Sequence, residues 1–176
     1  YGDHRDLHLS IRRQRQMCIR DRMGTSTQGA SPASLDEIEM TIIQTKGSSV
    51  IFGELGGDSY LTGSLQSFGG AASQTRGIIF NGKSSPNASR NVIEFLTLAT
   101  FGNSQNFGDQ LTSSTSSGVT STGNQIKAVV RTSSANNGNV LEQVTIATTG
   151  NATDFGDLAT GRRTYGSLCD SHGGLG

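Results

Sequence analysis

Apolar residues in this chain mostly occur in short stretches set in a background of Ser, Thr, Asn and Gly. At intervals they gather into a run such as Val92-Ile93-Glu94-Phe95-Leu96-Thr97-Leu98. A disordered linker lacks such recurrent apolar stretches. With a period of two, Val92, Leu96 and Leu98 fall on one face of a strand, and Ile93, Phe95 and Ala99 on the other. Apolar residues on both faces predict a strand covered on both sides, as in stacked sheets. Residues 92–100 are thus the longest expected strand. Gly77-Ile78-Ile79-Phe80 predicts a short strand before it, and the Gly/Ser/Pro/Asn-rich residues 81–90 a turn region between the two. A hairpin loop is expected over 102–106 and a third strand from 107 to 111. A fourth strand is expected in the stretch before the next unit, represented in the last copy by residues 165–169.

The pattern repeats. Residues 91–103 (NVIEFLTLATFGN) match residues 139–151 (NVLEQVTIATTGN) at an offset of 48, and Asn106-Phe107-Gly108-Asp109 matches Asp154-Phe155-Gly156-Asp157 at the same offset. A weaker copy lies 55 residues upstream of the middle one, with Ile38-Glu39 ahead of Ile43, Thr45, Gly47 and Phe52-Gly53-Glu54. Thr75-Arg76-Gly77 aligns with Ser171-His172-Gly173, twice 48 residues on. The expected organisation is a partial first unit at 23–74, a second at 75–122, a third at 123–170 and the opening of a further one at 171–176. The array is expected to be cut at both ends.

Self-similarity at this period, with four short strands per unit, predicts an all-β chain of β-propeller-like tandem blades of four antiparallel strands. A β-helix or solenoid is the alternative, and its shorter rungs fit the period less well. Closed propellers need about four to eight blades. Some three blades would therefore leave sheet edges exposed and the chain poorly soluble on its own.

Composition agrees with many strands joined by turns. Gly is 24 of 176 residues, Trp is absent and charged residues are 16%. Gly and Asn tolerate turn backbones, and Thr and Val suit a pleated one. Residues 1–22 stand apart. Met17-Cys18-Ile19-Arg20-Asp21 is the translation of ATG TGT ATA AGA GAC, which resembles the transposon end of tagmentation sequencing libraries, and Arg22 continues it. This segment is expected to be an adapter-derived artefact and disordered. It holds six Arg and three Asp; the rest has 8 basic and 11 acidic residues, a net charge of −3. That surface lacks the clustered cations of a nucleic-acid binder. No apolar run is long enough to span a bilayer as a helix.

Two acidic positions recur: Glu39, Glu94 and Glu142 on the long strand, and Glu54, Asp109 and Asp157 after the Phe-Gly pair. Paired carboxylates invite a glycosidase reading. A catalytic pair is needed once, however, so residues present in every unit point to scaffold, with hydrogen bonds to turn amides as their simplest role. The expected structural signature is Glu94, Gly102, Phe107, Gly108, Asp109, Glu142, Gly150, Phe155, Gly156 and Asp157. Phe107 and Phe155 could stack on sugars, but in an array they are expected to plug the seam between blades. His172 is the only His beyond residue 22, and no Ser lies in a nucleophile elbow. Asp154, Asp157 and Asp170 lack calcium-loop spacing. The two Cys, Cys18 and Cys169, make no disulfide framework. No catalytic, cofactor or metal residue is expected.

The order of features in a unit is similar to kelch repeats, which run an apolar strand into a double Gly, then a strand with a central acidic residue, a Trp, and an Arg before the last strand. Here Ile78-Ile79-Phe80-Asn81-Gly82 stands for the first part, with Asn81 replacing one Gly. Phe107 and Phe155 take the Trp position, and Arg162 or Arg163 the Arg position. Residues 75–176, and more loosely 23–74, also resemble repeat proteins of tailed phages, especially marine ones. That resemblance implies a non-enzymatic virion or tail-fibre component, located in the virion. Its partners would be the other blades of the full-length protein, and its loops would bind a host-surface glycan or protein or pack within the virion. The alternatives are a fragment of a propeller enzyme acting on polysaccharide, and a bacterial surface adhesion module.

Overall fold

The computed structural model describes residues 17–21, 37–42, 48–55, 65–66, 69–80, 83–84, 88–114, 119–132 and 138–161. These residues are all-β, with no helix and with antiparallel pairing throughout. The strands are β1 (Met17–Asp21), β2 (Glu37–Ile42), β3 (Val50–Glu54), β4 (Leu65–Gln66), β5 (Gly69–Ala72), β6 (Arg76–Phe80), β7 (Lys83–Ser84), β8 (Ala88–Thr97), β9 (Gln105–Ser114), β10 (Thr120–Gly123), β11 (Lys127–Arg131), β12 (Val140–Thr145) and β13 (Thr153–Asp157).

Three sheets form. The first runs β1-β2-β3, and the third runs β10-β11-β12-β13. The second has β5-β6-β8 with β9 on the far side of β8, and β7 and β4 extend it beside the start of β8. Sheets two and three thus share an up-and-down meander of four strands. Tight turns close its first hairpin both times. Ser73 Oγ accepts from the amides of Thr75 (3.3 Å) and Arg76 (3.1 Å). Asn124 Oδ1 accepts from those of Ile126 (2.8 Å) and Lys127 (2.7 Å). Ser and Asn are turn formers because their short side chains cap the backbone in this way.

The core lies between the sheets. Ile38, Met40, Phe52 and Leu55 of the first unit meet Ile79 and Leu96 of the second. On the other face of the second sheet, Ile78, Phe80, Ile93, Phe95 and Phe107 meet Val119, Ala128, Val130, Val144, Ile146 and Ala152. Alternation along β6 and β8 therefore feeds two layers at once, which is why the strand over 92–97 carries apolar residues on both faces.

Several boundaries differ from those expected. The long strand starts at Ala88, inside the expected turn region, and ends at Thr97, where the Thr100 amide donates to the Thr97 carbonyl (3.3 Å) and closes a turn. Residues 17–21, expected to be disordered, form β1, with Met17 opposite Ile42 and Asp21 opposite Ile38. An open edge of β2 offers main-chain donors and acceptors, and pairing to them asks little of the incoming side chains. The phase of the units also shifts. β5, within 23–74, joins the second sheet, and β10, which starts within 75–122 and crosses into the next unit at Gly123, joins the third. A periodic sequence defines a period but not where each sheet is cut; the short turns at 73–75 and 124–126 decide it. The expected strand at 165–169, the segment 171–176, and Arg162, Arg163, Cys169 and His172 lie outside the described residues.

Candidate functional site at the joint between units

The recurrent Glu and the recurrent Phe-Gly pair are the two sides of one irregularity. The ladder shifts between Ile38 and Glu39, between Ile93 and Glu94, and between Leu141 and Glu142. Opposite these steps, Gly53 pairs with Ile38 and Ile51 with Glu39, so Phe52 is the extra residue. Gly108 and Asn106 bracket Phe107 in the same way, and Gly156 and Asp154 bracket Phe155. A bulge takes one residue out of the ladder and re-aims its neighbours. Gly108 and Gly156 adopt φ of 153° and 138°, open to glycine and strained for other residues.

The bulged strand is the outer edge of each sheet, and in the first two sheets the next unit covers it. The Gly102 amide donates to the Phe52 carbonyl (3.0 Å), the Ser104 amide to the Glu54 carbonyl (2.9 Å), and the Glu54 amide to Asn103 Oδ1 (3.1 Å). One unit later the Gly150 amide donates to the Phe107 carbonyl (2.8 Å), the Ala152 amide to the Asp109 carbonyl (2.8 Å), and the Asp109 amide to Asn151 Oδ1 (3.0 Å). The same lock is therefore built twice. It demands close backbone approach: a Cβ on Gly53 would lie 2.0 Å from the Gly102 oxygen, and one on Gly108 would lie 2.3 Å from the Gly150 oxygen.

The signature carboxylate adds a second tie. Glu142 is fully buried and reaches back to the preceding unit, where Oε2 accepts from the Leu111 amide (2.8 Å) and Oε1 from the Thr112 amide (3.1 Å). Thr132 Oγ1 donates to the same Oε1 (3.3 Å). A buried carboxylate is tolerated only when its lone pairs are met in this way. Glu94 holds the matching place and is 3% exposed, while Glu39 is half-buried and accepts from Ser49 Oγ at 2.6 Å.

Residues outside the expected structural signature complete the joint. Arg76 sends Nη1 to the carbonyls of Ile146 (3.2 Å) and Ala147 (2.8 Å), with its guanidinium 4.7 Å above the Phe95 ring centre. Ser121 Oγ donates to the Gly70 carbonyl (2.8 Å), beside Gly69, where a Cβ would strike it. Asn103 and Asn151 lie inside the matched segments, and their recurrence after Gly was the signal available for them.

The two signature aromatics part company. Phe107 is 3% exposed and meets Phe95 edge-on at 6.1 Å, whereas Phe155 is 54% exposed. Among the described residues the loop at 148–152 covers Phe107, and no loop stands over Phe155. A cleft of about 230 Å³ opens beside that loop, lined by Phe107, Lys127, Gln143, Thr148, Asn151 and Thr153 among others. With Phe107 buried, it offers hydroxyl and amide groups but no aromatic platform. Among the described residues no group of three or more His, Cys, Asp or Glu could hold a metal ion, and no helix is long and apolar enough to cross a membrane. No protein family and no curated protein matches the chain.

Proposed function

We propose that this chain is a non-enzymatic structural module of a tailed-phage virion, of the tail-fibre type, in which propeller-like blades stack and hold out loops toward a host-surface glycan or protein. The observation that carries the reading is the joint. The recurrent Glu, Phe-Gly and Gly-Asn positions serve the packing of one unit on the next, as a scaffold requires, and they are repeated rather than unique, as a catalytic pair is not. The charge balance beyond residue 22 and the kelch-like order of features support the same reading, and the phage resemblance supplies the setting.

The test has two arms. Antibody raised against the chain should label the tails of particles from a phage–host culture whose genome carries the gene. The purified chain, incubated with host cells and a panel of marine polysaccharides, should bind without releasing reducing ends. Label confined to the host cell surface would favour the adhesion alternative, and release of reducing ends would establish the polysaccharide-acting one. Either result overturns the proposal.

A further inference from the structure

The geometry assigns a third, open docking socket to β13, shaped for the Gly-Asn loop of one further unit of the same kind. This goes beyond the virion role and does not depend on it. The two filled sockets share a bulged Phe-Gly-acid edge strand, a carbonyl at the Phe, and an amide and a carbonyl at the acidic residue, and the second adds two amides shortly beyond that receive the buried Glu142. In β13 the edge is Phe155-Gly156-Asp157, with the same bulge opposite Leu141 and Glu142. Ala159 and Thr160 stand 48 residues beyond Leu111 and Thr112, whose amides hold Glu142.

Burial separates the open socket from the filled ones. Phe52 and Phe107 are each 3% exposed beneath a loop, and Phe155 is 54% exposed. A Cβ on Gly53 or Gly108 would strike loop backbone, whereas one on Gly156 would meet nothing within 4 Å. The face behind the strand follows suit. Ile78 and Ile93 are buried under the third sheet, while Val129 and Leu141, which hold the matching pairing positions, are only half-buried. An edge strand with a half-buried apolar face invites pairing, and continuity with two existing joints names the occupant. It is a loop that donates two amides from Gly and from the second residue after it, accepts one with Asn Oδ1, and is followed by a unit that brings its own Glu.

The experiment extends the full chain. A second copy of residues 114–161, inserted after Gly161, keeps the register of the third unit and presents a copied Gly150-Asn151 loop to β13. Amide hydrogen exchange is read at Asp157, with Asp109 as the internal standard for a formed joint. Exchange at Asp157 should slow by on the order of 100-fold relative to the parent, approaching Asp109. Gly156→Ala in the extended chain should abolish that protection, because its Cβ would meet the copied carbonyl. If the first extension loses protection at Asp109 and so does not fold, a second decides: residues 59–113 in the same place, presenting a copied Gly102-Asn103 loop. Absence of protection at Asp157 in a chain whose Asp109 is protected overturns the assignment, as does absence in both extensions. Concentration-dependent protection of Asp157 in the unextended parent also overturns it, since the occupant would then be a second copy of the chain.

Discussion

Three glycines allow the joint to be taken apart into its physical components. Gly108→Ala introduces a Cβ 2.3 Å from the Gly150 oxygen, 2.5 Å from its carbon and 2.9 Å from the Asn151 nitrogen, at a φ of 153°. The obstructing atoms are backbone, so the loop must withdraw rather than a side chain rotate. Withdrawal breaks two backbone hydrogen bonds of 2.8 Å and the Asn151 contact of 3.0 Å. At about 1 kcal/mol net for each bond, that is roughly 3 kcal/mol, and the strained φ adds about 1–2 kcal/mol. Gly53→Ala has the clash, at 2.0 Å from the Gly102 oxygen, without a φ in the glycine-favoured range. It should cost about 3 kcal/mol from the same bonds, less about 0.5 kcal/mol for stiffening the unfolded chain. Gly156→Ala has the strained φ of 138° and no neighbour, so about 1–2 kcal/mol is expected. Urea unfolding of the three variants gives the differences in stability. Amide exchange at Asp109 and Ala152 shows whether the joint opens first. The reasoning is refuted if Gly53→Ala leaves the stability within about 0.5 kcal/mol of the parent, the range of ordinary surface substitutions. It is equally refuted if Gly156→Ala costs as much as Gly108→Ala.

Other substitutions probe the remaining contacts. Glu142→Gln replaces one acceptor oxygen by an amide that confronts the N–H of Leu111 or Thr112, and should cost about 1–3 kcal/mol in urea unfolding; an unchanged midpoint would remove the carboxylate from the joint. Phe107→Ala should cost about 3–5 kcal/mol, whereas Phe155→Ala should fall within about 0.5 kcal/mol of the parent, measured side by side in the full chain. Equal costs would mean that Phe155 is covered. Arg76→Lys keeps the charge but loses the planar guanidinium that lies over the Phe95 ring and aims Nη1 at the two carbonyls, so a loss of about 1–2 kcal/mol is expected in the same assay. A fully stable Arg76→Lys would show that charge alone suffices there.

Much of the architecture was legible because β structure writes its environment into short-range pattern. Apolar residues on both faces of the run at 92–98 foretold a strand between two layers, and Ile93 with Phe95 on one side and Leu96 on the other bear it out. The 48-residue match marked Glu94 and Glu142, Phe107 and Phe155, and Gly150 after Gly102 as positions with a shared structural setting. What they touch was not legible. The amide partners of Glu142 lie 31 and 30 residues upstream, and the Asn151 side chain reaches 42 residues back to Asp109. No local periodicity carries such pairings. Arg76 stood out only as a position aligned with His172, and its contacts were not legible because its partners, the carbonyls of Ile146 and Ala147, are main-chain groups that any sequence supplies.

The sequence by itself determined the period, the antiparallel strand character and the residues that every unit would share, since each follows from alternation, turn chemistry and self-similarity. Tertiary structure decided where one sheet ends and the next begins, which loop seals which strand, and why Phe107 is buried while Phe155 is exposed. Those two phenylalanines sit in matching sequence and in matching bulges. Only the neighbour standing over one of them sets them apart, and burial is a property of neighbours, not of the residue.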